Sequence, residues 1–349
     1  MLLLRPEIRK KLLNALLLLA IFAVTVWSVF RGESVHEVID FLMTADLKYI
    51  IPSILCVFLF IGGEAVSMYY LLRVLGYKIP LRHCWLHSFI GFFYSCITPS
   101  SSGGQPMQIL SMRKDAVPAP VSTVVLAILA ITYKLVLVII GLAVIIVRPD
   151  AIIAHIDPVK GFIYAGLVLN IICIAVLMML VFMPTTIKAI VEKIIRLISR
   201  IRPFKHPERI SAALEKTISQ YAGAADFYRR NGHVLFNVLV LTFLQRITLF
   251  AITWFTYRAF EMAIETPVTI MTLQSMISVA ADMVPLPGGM GASENLFIEV
   301  FRNIFGEERV LPAMVISRGI SFYAQVLISG AMTIAAVFIL KDKQNNIDA

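Results

Sequence analysis

The chain has 349 residues and a formal net charge of +9; 59% of its residues are hydrophobic and only 15% are charged. Soluble globular proteins carry about 25% charged residues, whereas a helix needs about 20 apolar residues to cross a bilayer core. Several such stretches occur, so the composition excludes a soluble enzyme, a disulfide-stabilised secreted scaffold and a disordered protein. It predicts an all-α polytopic membrane protein.

Six apolar stretches are long enough for full transmembrane helices, at 12–30, 49–72, 121–147, 162–183, 234–257 and 313–340. The first follows four basic residues, as in a signal peptide, but its length and the lack of a small-residue cleavage site favour an uncleaved helix. Two further stretches, 84–98 and 268–284, run into segments rich in Pro, Gly and Ser. Irregular backbone at membrane depth survives only against protein or water, so we expect two re-entrant broken hairpins.

The distribution of charge agrees with this arrangement. If each hairpin returns to the face from which it enters, one face holds 21 Lys/Arg and 8 Asp/Glu, and the other holds 7 and 11. The basic excess predicts that the first face, with both termini, is cytoplasmic. Its segments are 1–11, 73–83, 113–120, 184–233 and 341–349.

The order of elements repeats along the chain. Two spans, a broken hairpin and a third span are followed by the same set, and the odd number of spans per half inverts the second half. Gly104 precedes Lys134 by 30 residues, and Gly289 precedes Arg318 by 29. Inverted repeats with interrupted helices are typical of secondary transporters. We expect one membrane domain over 1–349, with pseudo-repeat halves at about 1–150 and 161–340.

The segment 184–233 differs from the rest of the chain. Isoleucine and leucine recur in it at helical spacing between basic residues, and its net charge is +6. This pattern predicts one or two amphipathic helices on the inner leaflet. A topological anchor and a regulatory or partner-docking segment both remain open interpretations.

The breaks and the charges inside the membrane are the candidate substrate-binding residues. After each break a helix begins, and its N–H groups and dipole favour an anion such as a phosphate. We expect Arg318, and less strongly Lys134, to hold the phosphate, with carboxylates balancing their charge. Tight packing corners and structural ion pairs are the alternatives. The candidates are Arg318, Lys134, Glu64, Asp282, Glu294, Ser101, Ser102, Gly103, Gly104, Gln105, Gly288, Gly289 and Ser293.

Two further expectations concern single residues. Gly104 and Gly289 should be buried despite their loop-like surroundings. Arg246 is the sixth charged residue inside the membrane, and its long side chain is expected to snorkel towards the interface.

Several catalytic signatures are missing. The chain has no phosphate-binding loop of an ATPase and no H-E-x-x-H zinc motif. The four cysteines form no C-x-x-C pair, so we expect them to pack. Ser293 lies in a G-A-S-E segment that is faintly similar to intramembrane serine proteases, but no histidine is clearly placed as its base. We expect a transporter rather than an enzyme, without a cofactor, a metal or a nucleic-acid partner.

The motifs ITPSSSGGQP at 97–106, PLPGGMGASE at 285–294 and GGE at 62–64 resemble the lysylphosphatidylglycerol synthase transmembrane region, also called the flippase-like domain. The resemblance covers about residues 10–340. It implies a bacterial cytoplasmic-membrane protein that moves a phospholipid between leaflets, with membrane phospholipids as its partners. The chain ends nine residues after the last predicted span, so we expect the family's aminoacyltransferase domain to be absent from it. A stand-alone protein and the isolated flippase portion of a longer protein both remain open interpretations.

We therefore expect a flippase for an anionic or zwitterionic phospholipid, aminoacylated or not. Moving a net cation outward against an inside-negative potential costs about 2.3 kcal/mol per 100 mV. Without ATP, this movement needs a lipid gradient, continual synthesis or a counter-moving proton, for which Glu64, Asp282 and Glu294 are the candidates. A small-solute secondary transporter and a non-transporting partner of a separate lipid synthase remain alternatives. A homo-oligomer is also left open.

Overall fold

A computed structural model describes residues 46–98, 101–183 and 221–340 of the chain. Across these residues the chain is helical and contains no β-strand, in agreement with the predicted all-α class. The predicted span at 12–30, residues 184–220 of the basic segment and both termini lie outside the described residues. The helices are α1 (Leu47–Val74), α2 (Leu81–Ile97), α3 (Gly104–Arg113), α4 (Ala119–Val147), α5 (Asp150–Ile156), α6 (Lys160–Phe182), α7 (221–230), α8 (Gly232–Ala259), α9 (Pro267–Ala281), α10 (Ala292–Phe305), α11 (Glu307–Arg318) and α12 (Gln325–Ile339).

Within the described residues, five helical segments are long and apolar enough to cross a membrane. They are α1, α4, the run from α5 to α6, α8, and the run from α11 into α12. A π-helical turn, Gly319–Ala324, joins α11 to α12. These segments coincide with five of the six predicted spans, and the remaining one is 12–30.

Helices α1 and α8 pack against each other in antiparallel directions. At one end the backbone N–H of Asp46 donates to the carbonyl of Ala259 at 3.0 Å. At the other end Tyr228, on the helix that leads into α8, donates its hydroxyl to the carbonyl of Leu71 at 2.8 Å. We call the end where α1 finishes end A and the end where α1 begins end B.

Helices α2 and α3 form an antiparallel hairpin, hairpin 1, whose base lies at end A. The imidazoles of His83 and His87, in the first two turns of α2, both donate to Asp115, which directly follows α3. The arms have 17 and 10 residues, or about 26 and 15 Å at 1.5 Å per residue. Both are shorter than a bilayer core of about 30 Å.

Helices α9 and α10 form hairpin 2, whose base lies at end B. The Phe305 ring at the end of α10 contacts the rings of Tyr257 and Phe260 at the end of α8. Phe297 and Phe301 are buried and pack in the same aromatic cluster through tilted and edge-to-face ring contacts, which fixes α10 along its length. The bases of the two hairpins thus lie at opposite ends of the bundle.

The tip of hairpin 2 is a tight backbone turn. In hairpin 2 the φ angles of Gly288 and Gly289 are +59° and +66°, in the left-handed region that favours glycine. A Cβ on Gly288 would also lie 1.9 Å from the Phe322 ring. Gly104 and Gly289 are both buried, which confirms that expectation.

Candidate functional site

A cavity of about 600 Å³ lies between the tips of the two hairpins. Its wall combines apolar and polar residues from both hairpins and from α1, α4, α6, α8 and α11. The predicted site residues that line it are Glu64, Ser101, Ser102, Gln105, Lys134, Asp282, Gly288 and Arg318. Those that do not line it are Gly103, Gly104, Gly289, Ser293 and Glu294. The cavity therefore brings together residues that are more than 250 positions apart in the sequence.

Lys134 on α4 is held by three protein groups. Its Nζ donates to Asp282 Oδ2 at 2.6 Å, to Met283 Sδ at 3.2 Å and to Asn170 Oδ1 at 3.4 Å. A lysine ammonium has three N–H donors, and these three acceptors can take all of them. Lys134 thus ties α4 to the break after α9 and to α6, and has no free donor for a ligand.

Arg318, at the end of α11, is only partly engaged by the protein. Its Nε donates to Glu294 Oε1 at 2.9 Å, and its Nη2 donates to the carbonyl of Gly288 at 3.0 Å. The guanidinium carbon lies 5.0 Å from the centre of the Phe322 ring. Nη1 has no hydrogen-bond partner among the described residues, so part of the guanidinium fork is open to a ligand in the cavity.

Glu294 fixes Arg318 in place and does not face the cavity. Its side chain is 2% exposed. Besides Arg318, its carboxylate accepts the backbone N–H of Gly291 at 2.7 Å, where it caps the first turn of α10. The break in hairpin 2, the start of α10 and the end of α11 are therefore joined by one carboxylate.

Glu64 lies in the middle of α1 and lines the cavity. Its Oε1 accepts a hydrogen bond from Gln108 Nε2 on α3 at 2.6 Å. In the part of the chain that the structure describes, Glu64 forms no ion pair, unlike Asp282 and Glu294. It is the cavity carboxylate whose charge no cation offsets there.

Arg246 does not snorkel, and that expectation was wrong. The residue is 1% exposed, and its guanidinium carbon lies 3.2 Å from the centre of the Tyr133 ring. Its Nε and Nη2 atoms have no hydrogen-bond partner among the described residues. The stacking on an aromatic face, together with burial in α8, holds the cation inside the bundle. Sequence position alone does not tell a lipid-facing residue from one that faces a neighbouring helix.

Three residues of the site were missed by the sequence reasoning. Gln108 and Asn170 are neutral amides that hold Glu64 and Lys134, and Tyr133 lines the cavity in front of Arg246. Charge was the signal used, and neutral amides carry none. Helical spacing could have found Gln108, because it follows Gly104 by one turn of α3.

A second polar cluster closes the base of hairpin 1. Asp115 accepts hydrogen bonds from His83 Nδ1 at 2.8 Å and from His87 Nε2 at 3.0 Å, and His87 Nδ1 lies 2.8 Å from Ser111 Oγ. Burial alone would raise the pKa of Asp115, but the hydrogen bonds from His87 and His83 outweigh it and hold the pKa at about 2. The cluster links the two arms of hairpin 1 at their base through the Asp115 carboxylate.

Ser293 lacks the surroundings of a nucleophile. It is buried in the first turn of α10, and no hydrogen bond joins it to a histidine among the described residues. The geometry needed for an activated serine is thus missing in the described part of the chain.

The site and the helices together define a class: an α-helical polytopic membrane protein with a charged cavity between two broken hairpins. Comparison with known families makes the assignment specific. The chain matches the family described as the lysylphosphatidylglycerol synthase TM region over residues 15–329, and it belongs to that family. No curated protein matches the chain.

Proposed function

We propose that the chain is a phospholipid translocase that moves an anionic or zwitterionic phospholipid between the leaflets of the membrane. The observation that carries this proposal is the cavity of about 600 Å³ at the hairpin tips, where charged side chains lie inside a bundle of apolar helices. A charged residue inside a membrane costs about 2.5–3.5 kcal/mol and is typical of a substrate pathway. The family to which the chain belongs supports a lipid as that substrate.

In this proposal six helices span a bacterial cytoplasmic membrane, and hairpins 1 and 2 are re-entrant. End A faces the cytoplasm, with both termini on that side. Support comes from the charges at the two ends of the bundle. Residues 73–83 and 113–120, at end A, contain five Lys/Arg and one Asp, whereas 258–267 and 299–312, at end B, contain three Arg and five Glu.

The lipid phosphate binds Arg318, and the acyl chains stay in the bilayer. The open Nη1 donors of Arg318 match a phosphate oxygen in a planar, charge-assisted contact. Ser101, Ser102 and Gln105 at the tip of hairpin 1 line the same cavity and supply further polar groups to it. Lys134 has a structural role here, because its donors are already used by Asp282, Asn170 and Met283.

The test compares Arg318→Lys with wild-type protein in reconstituted vesicles. A fluorescent phospholipid is followed by its loss of access to an external quencher. Lysine keeps the charge but loses the planar fork, so we expect translocation to slow by about tenfold or more, the value of one lost hydrogen bond to a charged group. The matched control is Arg309→Lys on the same helix, where the side chain is exposed; it should translocate at the wild-type rate.

The other results are informative as well. A monodisperse Arg318→Lys protein with wild-type translocation would contradict the phosphate site and leave Arg318 as an ion-pair partner. Competition by soluble glycerol phosphate, with no movement of lipid, would favour a small-solute transporter. Wild-type protein without any transport would favour a partner of a separate lipid synthase.

A further inference from the structure

The three carboxylates of the membrane-embedded site are not equivalent. Asp282 pairs with Lys134 at 2.6 Å, and Glu294 pairs with Arg318 at 2.9 Å. Glu64 contacts a neutral amide, Gln108, at 2.6 Å. Two carboxylates are thus each paired with a cation, whereas the hydrogen-bond partner of the third is a neutral amide.

Gln108 can serve Glu64 in both of its protonation states. An amide donates through its NH₂ group to a carboxylate, and after a half-turn it accepts through its carbonyl from a protonated carboxyl. Lysine or arginine could only donate. The site makes room for this amide, because a Cβ on Gly91 would lie 2.2 Å from Gln108 Cδ and Nε2. A side chain at position 91 would therefore displace the amide from Glu64.

Other charged and titratable side chains lie on the elements around the cavity, and the charged ones have a partner. On α4 Lys134 is paired with Asp282, and Tyr133 stacks on Arg246 of α8; on α11 Arg318 is paired with Glu294. The thiols of Cys96 on α2 and Cys173 on α6 complete the set. An ionised carboxylate that is removed from bulk water without a cation beside it is costly. Protonation of Glu64 therefore lowers the electrostatic free energy of the site more than protonation of the paired Asp282 or Glu294 would.

We propose that Glu64 is the proton-binding residue of the translocation cavity and that it binds its proton together with the lipid phosphate. This inference rests on the proposed function. A phosphate on Arg318 adds a second negative charge to the cavity, which is favoured only when Glu64 is neutral. The proton comes from the aqueous phase that the cavity faces, is held on Oε2 of Glu64 as a carboxylic acid, and leaves on the other side. Proton and lipid therefore move in the same direction.

The test applies a pH gradient to protein in vesicles of phosphatidylcholine and phosphatidylglycerol. Fluorescent phosphatidylglycerol is placed in the outer leaflet, and the membrane potential is clamped at zero with potassium and valinomycin. For the wild type, inward movement should be up to about tenfold faster for each pH unit by which the outside is more acidic, since proton concentration changes tenfold. In Glu64→Gln this dependence should disappear. Asp226→Asn removes an exposed carboxylate from α7 and should keep the wild-type response.

A second variant guards against misfolding of Glu64→Gln. Gln108→Lys leaves the carboxylate in place but sets a permanent cation beside it, so the response to pH should again be lost. Wild-type movement that ignores the gradient, a reversed response, or a Glu64→Gln protein that keeps the response would overturn the inference while leaving the translocase intact. A wild-type protein that moves no lipid at equal pH overturns the proposed function and the inference together.

Discussion

At the scale of single residues, the two cations in equivalent register have different surroundings. Lys134 has acceptors for each of its three N–H groups, whereas the guanidinium of Arg318 retains open donors towards the cavity. The difference follows from their chemistry, because a guanidinium has five N–H donors and an ammonium has three. Lys134 therefore links helices only, whereas Arg318 can link helices and bind a ligand at the same time.

This assignment predicts a loss of stability rather than of transport when Lys134 is replaced. Lys134→Met leaves Asp282 as an unpaired carboxylate, and breaking a buried pair costs about 3–5 kcal/mol. Both side chains are about 15% exposed, so we expect the lower end, about 3 kcal/mol. The double variant Lys134→Met/Asp282→Leu should recover more than half of this loss in thermal unfolding in detergent.

A different result would reassign the residue. A Lys134→Met protein that unfolds at the wild-type temperature but moves no lipid would make Lys134 a ligand of the phosphate, as its register originally suggested.

Part of the cavity lining was predictable from sequence, but the pairing of its residues was not. Buried charges and glycine-rich breaks have strong local signals, and eight of the predicted residues line the cavity. The contact of Lys134 with Asp282 joins positions that are 148 residues apart, and no spacing rule gives such a partner. The neutral Gln108 was missed for a related reason: its role comes from the tertiary contact with Glu64.

At the scale of secondary-structure elements, each hairpin is closed at its base by a different kind of interaction. Aromatic packing closes hairpin 2, and a charged cluster of His83, His87 and Asp115 closes hairpin 1. The turn after Asp115 is strained, because Ala116 has a φ angle of +62°, which costs of order 1 kcal/mol for a residue with a Cβ. The hydrogen bonds of Asp115 thus hold a turn that would otherwise relax.

We expect Asp115→Asn to destabilise the protein by about 2 kcal/mol at pH 7, because the pKa of Asp115 is held at about 2 against an ordinary value of 3.8. A lowered pKa in the folded state stabilises the protein above the unfolded pKa, and this contribution is lost as pH falls through 3.8 towards 2. The difference between variant and wild type should therefore be large at pH 7 and shrink below about pH 4. Thermal unfolding in detergent at several pH values measures it.

The control for this prediction is Asp226→Asn, whose exposed ion pair with Arg230 contributes little. Equal stability of Asp115→Asn and wild type at pH 7 would contradict the role of the cluster.

The long helices were predicted well, because the length of an apolar stretch determines them. The helices that depend on tertiary contacts were predicted less well. Five predicted spans coincide with helices because about 20 apolar residues leave few alternatives in a membrane. The short arm of hairpin 1, α3, has ten residues with exposed and buried positions mixed. Contacts with α2 stabilise α3 as a helix, and no pattern in the local sequence indicates these contacts.

At the scale of the whole molecule, the two ends of the bundle differ in the charge of their connecting segments. Hairpin 1, the turn between α1 and α2, and the start of α8 lie at end A, and hairpin 2 and the start of α11 lie at end B. This grouping comes from hydrogen bonds and ring contacts, independently of the charges. For the described segments 73–83, 113–120, 258–267 and 299–312, it is the same division that the charge count assumes.

The last prediction tests which end faces the cytoplasm. In a chain whose four cysteines are replaced by alanine, single cysteines are placed at two exposed positions: Lys78→Cys at end A and Glu308→Cys at end B. Basic segments are retained on the cytoplasmic side during insertion, so a membrane-impermeant maleimide should label Glu308→Cys in intact bacterial cells. Lys78→Cys should react only after the cells are permeabilised. Labelling of Lys78→Cys in intact cells, with Glu308→Cys protected, would contradict the proposed orientation. The base of hairpin 1 would then lie on the outer side of the membrane and the base of hairpin 2 on the cytoplasmic side.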